Sequence, residues 1–181
     1  MFVHTFPKLE LFDESNDKYI YRNEFSVKLE HSLLAISKWE SEIEKPFLRL
    51  QESDQLTEEN LLFYILCMDL TGELTKEQVE SLTREETRMI ERYMEKQCTA
   101  TTFSSTKKEK PSKKIITSEE IYYYLTSLNI PFECETWNIY RLLTLIKICG
   151  IKNNPNKMKK GEIADHYAKL NQARRAAKGL K

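Results

Sequence analysis

The sequence has few glycines and no long hydrophobic run, and each absence excludes a class of structure. Only four of its 181 residues are glycine and 31% are charged, a composition that favours helices over a loop-rich β architecture. No window approaches the roughly 20 consecutive apolar residues of a membrane span, and the N-terminus lacks the basic and apolar segments of a signal peptide. We therefore expect a folded protein that remains in the cytoplasm and does not cross a membrane.

The sequence also lacks the residue spacings that predict a metal or catalytic site. Its four cysteines are isolated from one another, which suits reduced thiols that act as small core hydrophobes. The three histidines are far apart, and no P-loop, dinucleotide-binding glycine motif or nucleophile elbow occurs. We therefore expect no enzyme activity, no metal and no cofactor. The residues concerned are Cys67, Cys98, Cys134, Cys149, His4, His31 and His166.

The neutral total charge hides a strong asymmetry along the chain. Residues 1–99 hold 12 Lys and Arg against 21 Asp and Glu, net −9, so residues 100–181 hold 16 against 7, net +9. Two interpretations are open at this point. The two halves attract each other within the fold, or the C-terminal half binds an acidic or anionic partner.

Alternating apolar residues predict a small sheet at the N-terminus. Residues 9–12 and 18–21 flank a polar stretch and favour a hairpin, and residues 25–29 alternate in the same way. The spacing then becomes helical from Ser32 until near Pro46, with Trp39 as the anchor in the core. Thr57 begins a further helix, and three capping boxes mark other helix starts. The capping-box pairs are Thr75 with Gln78, Thr83 with Glu86, and Thr117 with Glu120.

A Ser/Thr- and Lys-rich segment, residues 99–116, coincides with the charge boundary and predicts an exposed linker. It separates an acidic N-terminal part, residues 1–98, from a basic C-terminal part, residues 117–181. The second part contains a helix that ends by Pro131, a hydrophobic core helix over residues 139–150 and a final helix over residues 158–178. The predicted fold is mainly α, with a small N-terminal β-hairpin or three-stranded sheet followed by a helical bundle in two parts.

The basic C-terminus and the nearby aromatic residues are the candidate partner-binding residues. Residues 152–181 hold nine Lys and Arg against two acidic residues, net +7. Three interpretations remain open: a solvated C-terminus, contact with an acidic protein surface or with the chain's own acidic half, and contact with nucleic acid through its phosphates. The candidate residues are Tyr123, Tyr124, Trp137, Lys157, Lys159, Lys160, Arg174 and Arg175.

Several segments between residues 30 and 178 resemble a family of small proteins from the tail gene cluster of tailed bacteriophages, the tail assembly chaperones. Where that family is expected to have Trp-His-Leu-Asn-Arg, this chain has Trp137-Asn138-Ile139-Tyr140-Arg141, so no role of that histidine is carried over. The segments that carry the resemblance are residues 39–40, 45–47, 100–103 and 130–134, Trp137, residues 141–146, and Leu170, Asn171, Ala173, Arg174 and Arg175.

The resemblance implies a non-catalytic assembly protein in the cytoplasm of a bacterial host cell. Such a chaperone would bind the helix-rich tape measure protein until tail-tube subunits polymerise around it, so the implied partners are the tape measure protein and the tail-tube protein. Binding of this kind needs an apolar groove or face for amphipathic helices, with complementary charge. The alternative function is a nucleic-acid-binding regulator that uses the basic C-terminal helix. The sequence leaves the oligomeric state open.

Overall fold

A computed structural model describes residues 1–13, 17–52, 56–103 and 115–153 of the chain. Two compact units are present, residues 1–146 and residues 147–181, and of the second only residues 147–153 are described. The described part is mainly helical, as the composition predicted, with a small amount of sheet at the N-terminus. No helix in the described ranges is long and apolar enough to cross a membrane.

The described residues among the first 30 form two separate antiparallel sheets of two strands each. The predicted hairpin is confirmed, since the second and third strands pair with Leu9 opposite Arg22. The first and fourth strands pair with Phe6 opposite Phe25, so the hairpin is inserted between the two strands of the other sheet. The strands are β1 Phe2–Phe6, β2 Leu9–Asp13, β3 Lys18–Arg22 and β4 Phe25–Leu29.

The alternative of a three-stranded sheet is wrong, because β4 pairs with β1 and not with the hairpin. The sequence interpretation had assigned no strand to β1. Its Phe6 is fully buried and lies 5.1 Å from the Phe25 ring, so pairing with β4 buries an aromatic side chain that would otherwise face water. The other edge of β4 is also occupied, since Leu70 N–H donates to Lys28 O at 3.1 Å.

Helices α1, α3, α4 and α5, whose bounds are given below, begin at side-chain caps. Thr75 and Thr83 form complete capping boxes with Gln78 and Glu86, as predicted. Thr117 is at the predicted N-cap position, but it makes no capping hydrogen bond, so the capping box there is wrong. The helices are α1 Leu33–Ile43, α2 Phe47–Glu52, α3 Glu58–Cys67, α4 Lys76–Glu80, α5 Arg84–Met94, α6 Ser118–Ser127 and α7 Ile139–Asn153, with a 3₁₀ helix at Phe132–Thr136 between the last two.

An aromatic cluster forms the centre of the first unit. Trp39, Phe47 and Tyr64 are fully buried, and the Phe47 ring lies 5.1 Å from Trp39 and 3.8 Å from Tyr64. The Trp39 indole N–H donates to Asn60 O at 3.0 Å, which satisfies its polar atom inside the core. Burial of each of these rings stabilises the fold by about 1.5–3 kcal/mol, and the prediction that Trp39 anchors α1 is confirmed.

Buried hydrogen bonds join residues from the acidic and basic parts of the sequence within the first unit. The Glu40 carboxylate accepts from Phe47 N–H at 2.9 Å and from Ser118 N–H at 2.7 Å. Ile139 N–H donates to His31 O at 2.7 Å. Residues on both sides of the 99–116 segment therefore share one core. The final predicted helix, residues 158–178, lies outside the described residues.

Candidate functional site

Helix α3 is apolar on two faces, although only one of them packs in the core. Residues 61–67 form an unbroken apolar run, whereas a surface helix normally has a single apolar stripe. Leu62, Phe63 and Leu66 are only half-buried, and their spacing places them on one side of the helix. The residues that face the core are Leu61, Tyr64, Ile65 and Cys67.

An open groove of about 490 Å³ runs along this second face of α3, between α1 and α4. Its apolar lining combines the α3 side chains with Ile43 near the end of α1 and Val79 of α4. Val79 is buried, so it fixes the position of α4 beside α3. Exposed apolar surface in a concave site of this size is typical of ligand and protein binding sites.

The rim of this groove is acidic. Glu42, Glu59 and Glu80 line it and are exposed, with Lys76 as the single basic residue. Lys76 Nζ lies 3.5 Å from Glu80 Oε1 one helical turn away, which leaves Glu42 and Glu59 to face an incoming charge. The groove therefore combines an apolar floor with a net negative rim, a combination that suits an apolar segment flanked by basic side chains.

A second exposed apolar surface lies on the hairpin. Phe12, Tyr19 and Tyr21 have 47%, 64% and 69% of their surface exposed. Phe12 and Tyr19 are cross-strand partners with ring centroids 4.9 Å apart, and Tyr19 and Tyr21 stack at 5.9 Å. These three side chains form a continuous row, which we call the aromatic row. A two-stranded hairpin is marginally stable in water by itself, so the row requires a firm anchor.

Arg22 supplies that anchor at the end of the hairpin. Its guanidinium donates to both carboxylate oxygens of Glu86, each at 2.7 Å. It also donates to Ser81 O at 3.0 Å and to Pro7 O at 3.1 Å. Burial alone would raise the pKa of Glu86, but hydrogen bonds from Arg22 and Thr83 outweigh it and hold that pKa below its usual value. The hairpin is therefore fixed to the start of α5.

A buried polar cluster surrounds Glu30 at the junction of β4, α5 and α7. Its carboxylate accepts from the Tyr93 hydroxyl and from Asn138 Nδ2, and it lies 2.6 Å from the N-terminal amine. Burial raises the pKa of Tyr93, and the hydrogen bond to Glu30 raises it further. The tyrosine therefore stays protonated as a donor, and the cluster joins four segments of chain.

His31 is next to this cluster and is fully buried. Its Nδ1 shares a hydrogen bond with the Tyr64 hydroxyl at 2.6 Å, and its Nε2 finds no partner among the described residues. Burial lowers the pKa of His31 to about 4, although the nearby Glu30 charge acts in the opposite direction. The imidazole is therefore neutral at pH 7 and packs as a core side chain against Phe47 and Tyr140.

The described ranges place no three metal-ligating side chains together. The four cysteines are free: Cys67 and Cys134 are buried, Cys149 is half-buried and Cys98 is exposed. The interpretation as core hydrophobes is therefore confirmed for Cys67 and Cys134, whereas Cys98 lies at the surface. Its backbone φ of 48° lies in the left-handed region.

Three of the eight candidate partner-binding residues lie in the described part of the chain. Tyr123 is exposed and Tyr124 is half-buried, with ring centroids 5.9 Å apart on α6. Trp137 is half-buried, and the Arg141 guanidinium lies 4.3 Å from its ring centroid, in cation–π contact. The other candidates, Lys157, Lys159, Lys160, Arg174 and Arg175, lie outside the described residues.

Neither the groove nor the aromatic row was predicted from the sequence, although each has a sequence signal. The unbroken apolar run of α3 has more apolar residues than one buried face requires. In the hairpin, Phe12 follows Glu10 at the two-residue spacing that places both on one face, opposite Tyr19 and Tyr21. Aromatic side chains on the same face as a charged residue indicate an exposed surface.

Comparisons of this chain with protein-family models, curated proteins and solved structures found no match. The resemblance to phage tail assembly chaperones stays a prediction.

Proposed function

We propose that this chain is a non-catalytic binding protein that assists assembly, and most concretely a bacteriophage tail assembly chaperone that binds the tape measure protein during tail formation. The single observation that supports binding is the aromatic row of Phe12, Tyr19 and Tyr21, whose exposed surface is held by a buried ion pair. The resemblance in sequence supports the choice of partner.

The aromatic row suits a protein partner for two reasons. Tyrosine offers a large apolar face with a polar hydroxyl and few rotatable bonds, so it loses little entropy on binding and is enriched at interfaces. The row is also preorganised, since Arg22 fixes β3 through five hydrogen bonds. A surface that is already ordered binds more tightly than one that must order on contact.

The basic C-terminal residues belong to the same proposal as a source of electrostatic attraction. Lys157, Lys159, Lys160, Arg174 and Arg175 would attract an acidic surface of the partner and increase the rate of association. Tyr123, Tyr124 and Trp137 would add aromatic contacts. The cytoplasm of the bacterial host is the expected location, as the resemblance implies.

The test is co-expression of the full chain with fragments of the tape measure protein of the same phage, followed by affinity capture. The test variant replaces Phe12, Tyr19 and Tyr21 with threonine, which keeps the preference for a strand but removes the rings. Val3→Thr on β1 is the matched control, because Val3 is an exposed apolar residue on a strand of the other sheet. The variants Tyr123→Ala and Arg174→Glu with Arg175→Glu test the predicted C-terminal residues.

Capture and solubilisation of the fragments by the native chain and by Val3→Thr, with loss in the threonine variant, would support the proposal. Failure of the native chain to capture any fragment would contradict the tail-assembly function. Capture that survives in the threonine variant would remove the aromatic row from the mechanism. Binding of duplex DNA alone, with an affinity that falls steeply as salt rises, would favour the regulator.

A further inference from the structure

We propose that the groove between α1, α3 and α4 binds one amphipathic helix of a partner protein, with lysine or arginine flanking the apolar stripe of that helix. This groove is separate from the aromatic row, and its lining defines the chemistry of its occupant. Binding of such a helix depends on the groove alone and does not require the partner to be a tail protein.

The apolar floor of the groove has the form that a helix requires. Leu62, Phe63 and Leu66 project from one side of α3, and Ile43 and Val79 close the two walls. A helix that lies in such a groove inserts residues at i, i+3, i+4 and i+7 and buries the exposed side of its host. Packing of this kind would complete the second apolar face of α3, which the core of the first unit leaves half-exposed.

Charge complementarity identifies the occupant more narrowly. Glu42 and Glu59 have no ion pair within the described residues, and Glu80 shares its charge with Lys76. The rim therefore disfavours an acidic helix and attracts one with basic residues beside its apolar stripe. The acidic side chains are exposed, so they can move to meet ammonium or guanidinium groups without desolvation of a buried charge.

The probe is a synthetic helical peptide of about 18 residues, or five turns, with leucine at i, i+3, i+4 and i+7 and lysine on both flanks. A second peptide carries glutamate in place of every lysine, and a third has the first composition in scrambled order. Fluorescence anisotropy of the labelled peptides with the full chain measures each affinity at low and moderate salt. We expect saturable binding of the lysine peptide, with binding of the other two at least roughly tenfold weaker.

Two variants locate the site. Glu42→Lys with Glu59→Lys reverses the rim charge, and we expect binding of the lysine peptide to weaken roughly tenfold because two attractions become repulsions. The matched control is Glu85→Lys with Glu95→Lys, which reverses one acidic residue in the first turn of α5 and one at its C-cap. Both of these residues are also exposed, but neither lines the groove. The second variant, Phe63→Ser, removes part of the apolar floor.

The charge variants should fold like the native chain, because exposed charges contribute little to stability. A loss of binding in them is therefore not due to misfolding. Tighter binding of the glutamate peptide by the Glu42→Lys and Glu59→Lys variant would strengthen the proposal, since it shows a reversed preference at the same site. Equal loss in the rim variant and its α5 control would overturn it. Absence of binding of the lysine peptide would overturn it as well. So would a dimer of the native chain that dissociates in the Phe63→Ser variant, because a second copy of the chain would then occupy the groove. None of these outcomes depends on capture of tail proteins.

Discussion

The ion pair between Arg22 and Glu86 gives the most direct test of how the hairpin is held. The two side chains are 3% and 14% exposed, and the guanidinium makes bidentate contact with the carboxylate while it also donates to Ser81 O and Pro7 O. Arg22→Ala removes all of these bonds and leaves a mostly buried carboxylate without its partner. Loss of one member of a buried pair costs about 3–5 kcal/mol, which a domain of typical stability survives.

Urea unfolding of the native chain, both single variants and the double variant measures the coupling between the two side chains. Glu86→Gln keeps the capping box on Thr83 and one acceptor for Arg22, so we expect it to cost only about 1–3 kcal/mol. The double variant should cost less than the sum of the single variants by about 1–3 kcal/mol. Because the folded pKa of Glu86 is depressed, this coupling is present at neutral pH and is lost as the pH falls through that folded value.

Lys8→Ala is the control, because Lys8 pairs with Glu10 at 2.8 Å on the exposed surface. We expect that variant to change the free energy of unfolding by no more than about 0.5 kcal/mol. If Arg22→Ala costs no more than Lys8→Ala, the hairpin is not held by this ion pair. The aromatic row would then not be preorganised by Arg22.

Two further predictions concern buried polar groups. The pKa of His31 is lowered from 6.5 to about 4, so between those pH values only the unfolded chain binds a proton at this residue. The free energy of unfolding should therefore fall by up to about 3 kcal/mol as the pH is lowered from 6.5 to 4. Urea unfolding at several pH values in this range should show that His31→Gln lacks this loss. If the variant and the native chain show the same dependence of the free energy of unfolding on pH, His31 is not its source. Glu40→Gln turns one acceptor into a donor that faces a backbone N–H, so thermal unfolding should report a loss of about 1–3 kcal/mol, and a neutral result would mean that the two hydrogen bonds are absent in solution.

Local signals predicted much of the fold. The hairpin and the capping boxes at Thr75 and Thr83 are written in neighbouring residues, and the start of α1 follows from Ser32, whose hydroxyl accepts from Ala35 N–H. The pairing of β1 with β4 depends on Phe6 meeting Phe25 across an intervening hairpin, and no local pattern specifies that contact. Thr117 has the sequence of a capping box without its hydrogen bond.

The candidate surfaces were less predictable than the fold. Tyr123, a predicted partner-binding residue, is exposed, but the larger aromatic row lies on the hairpin, where cross-strand register decides which rings meet. The groove depends on the relative positions of three helices, so its floor and rim become adjacent only in three dimensions. The sequence shows that α3 has more apolar residues than one buried face needs. Which of its faces stays exposed depends on the packing of Tyr64 and Ile65 in the core.

The Glu40 carboxylate has a consequence for the order in which the chain folds during synthesis. One of its two backbone donors, Phe47, is seven residues away, whereas the other, Ser118, is 78 residues further along. A ribosome releases the N-terminal segment first, so Phe47 is synthesised well before Ser118. The Glu40 carboxylate therefore gains its second backbone donor only after the start of α6 has been made.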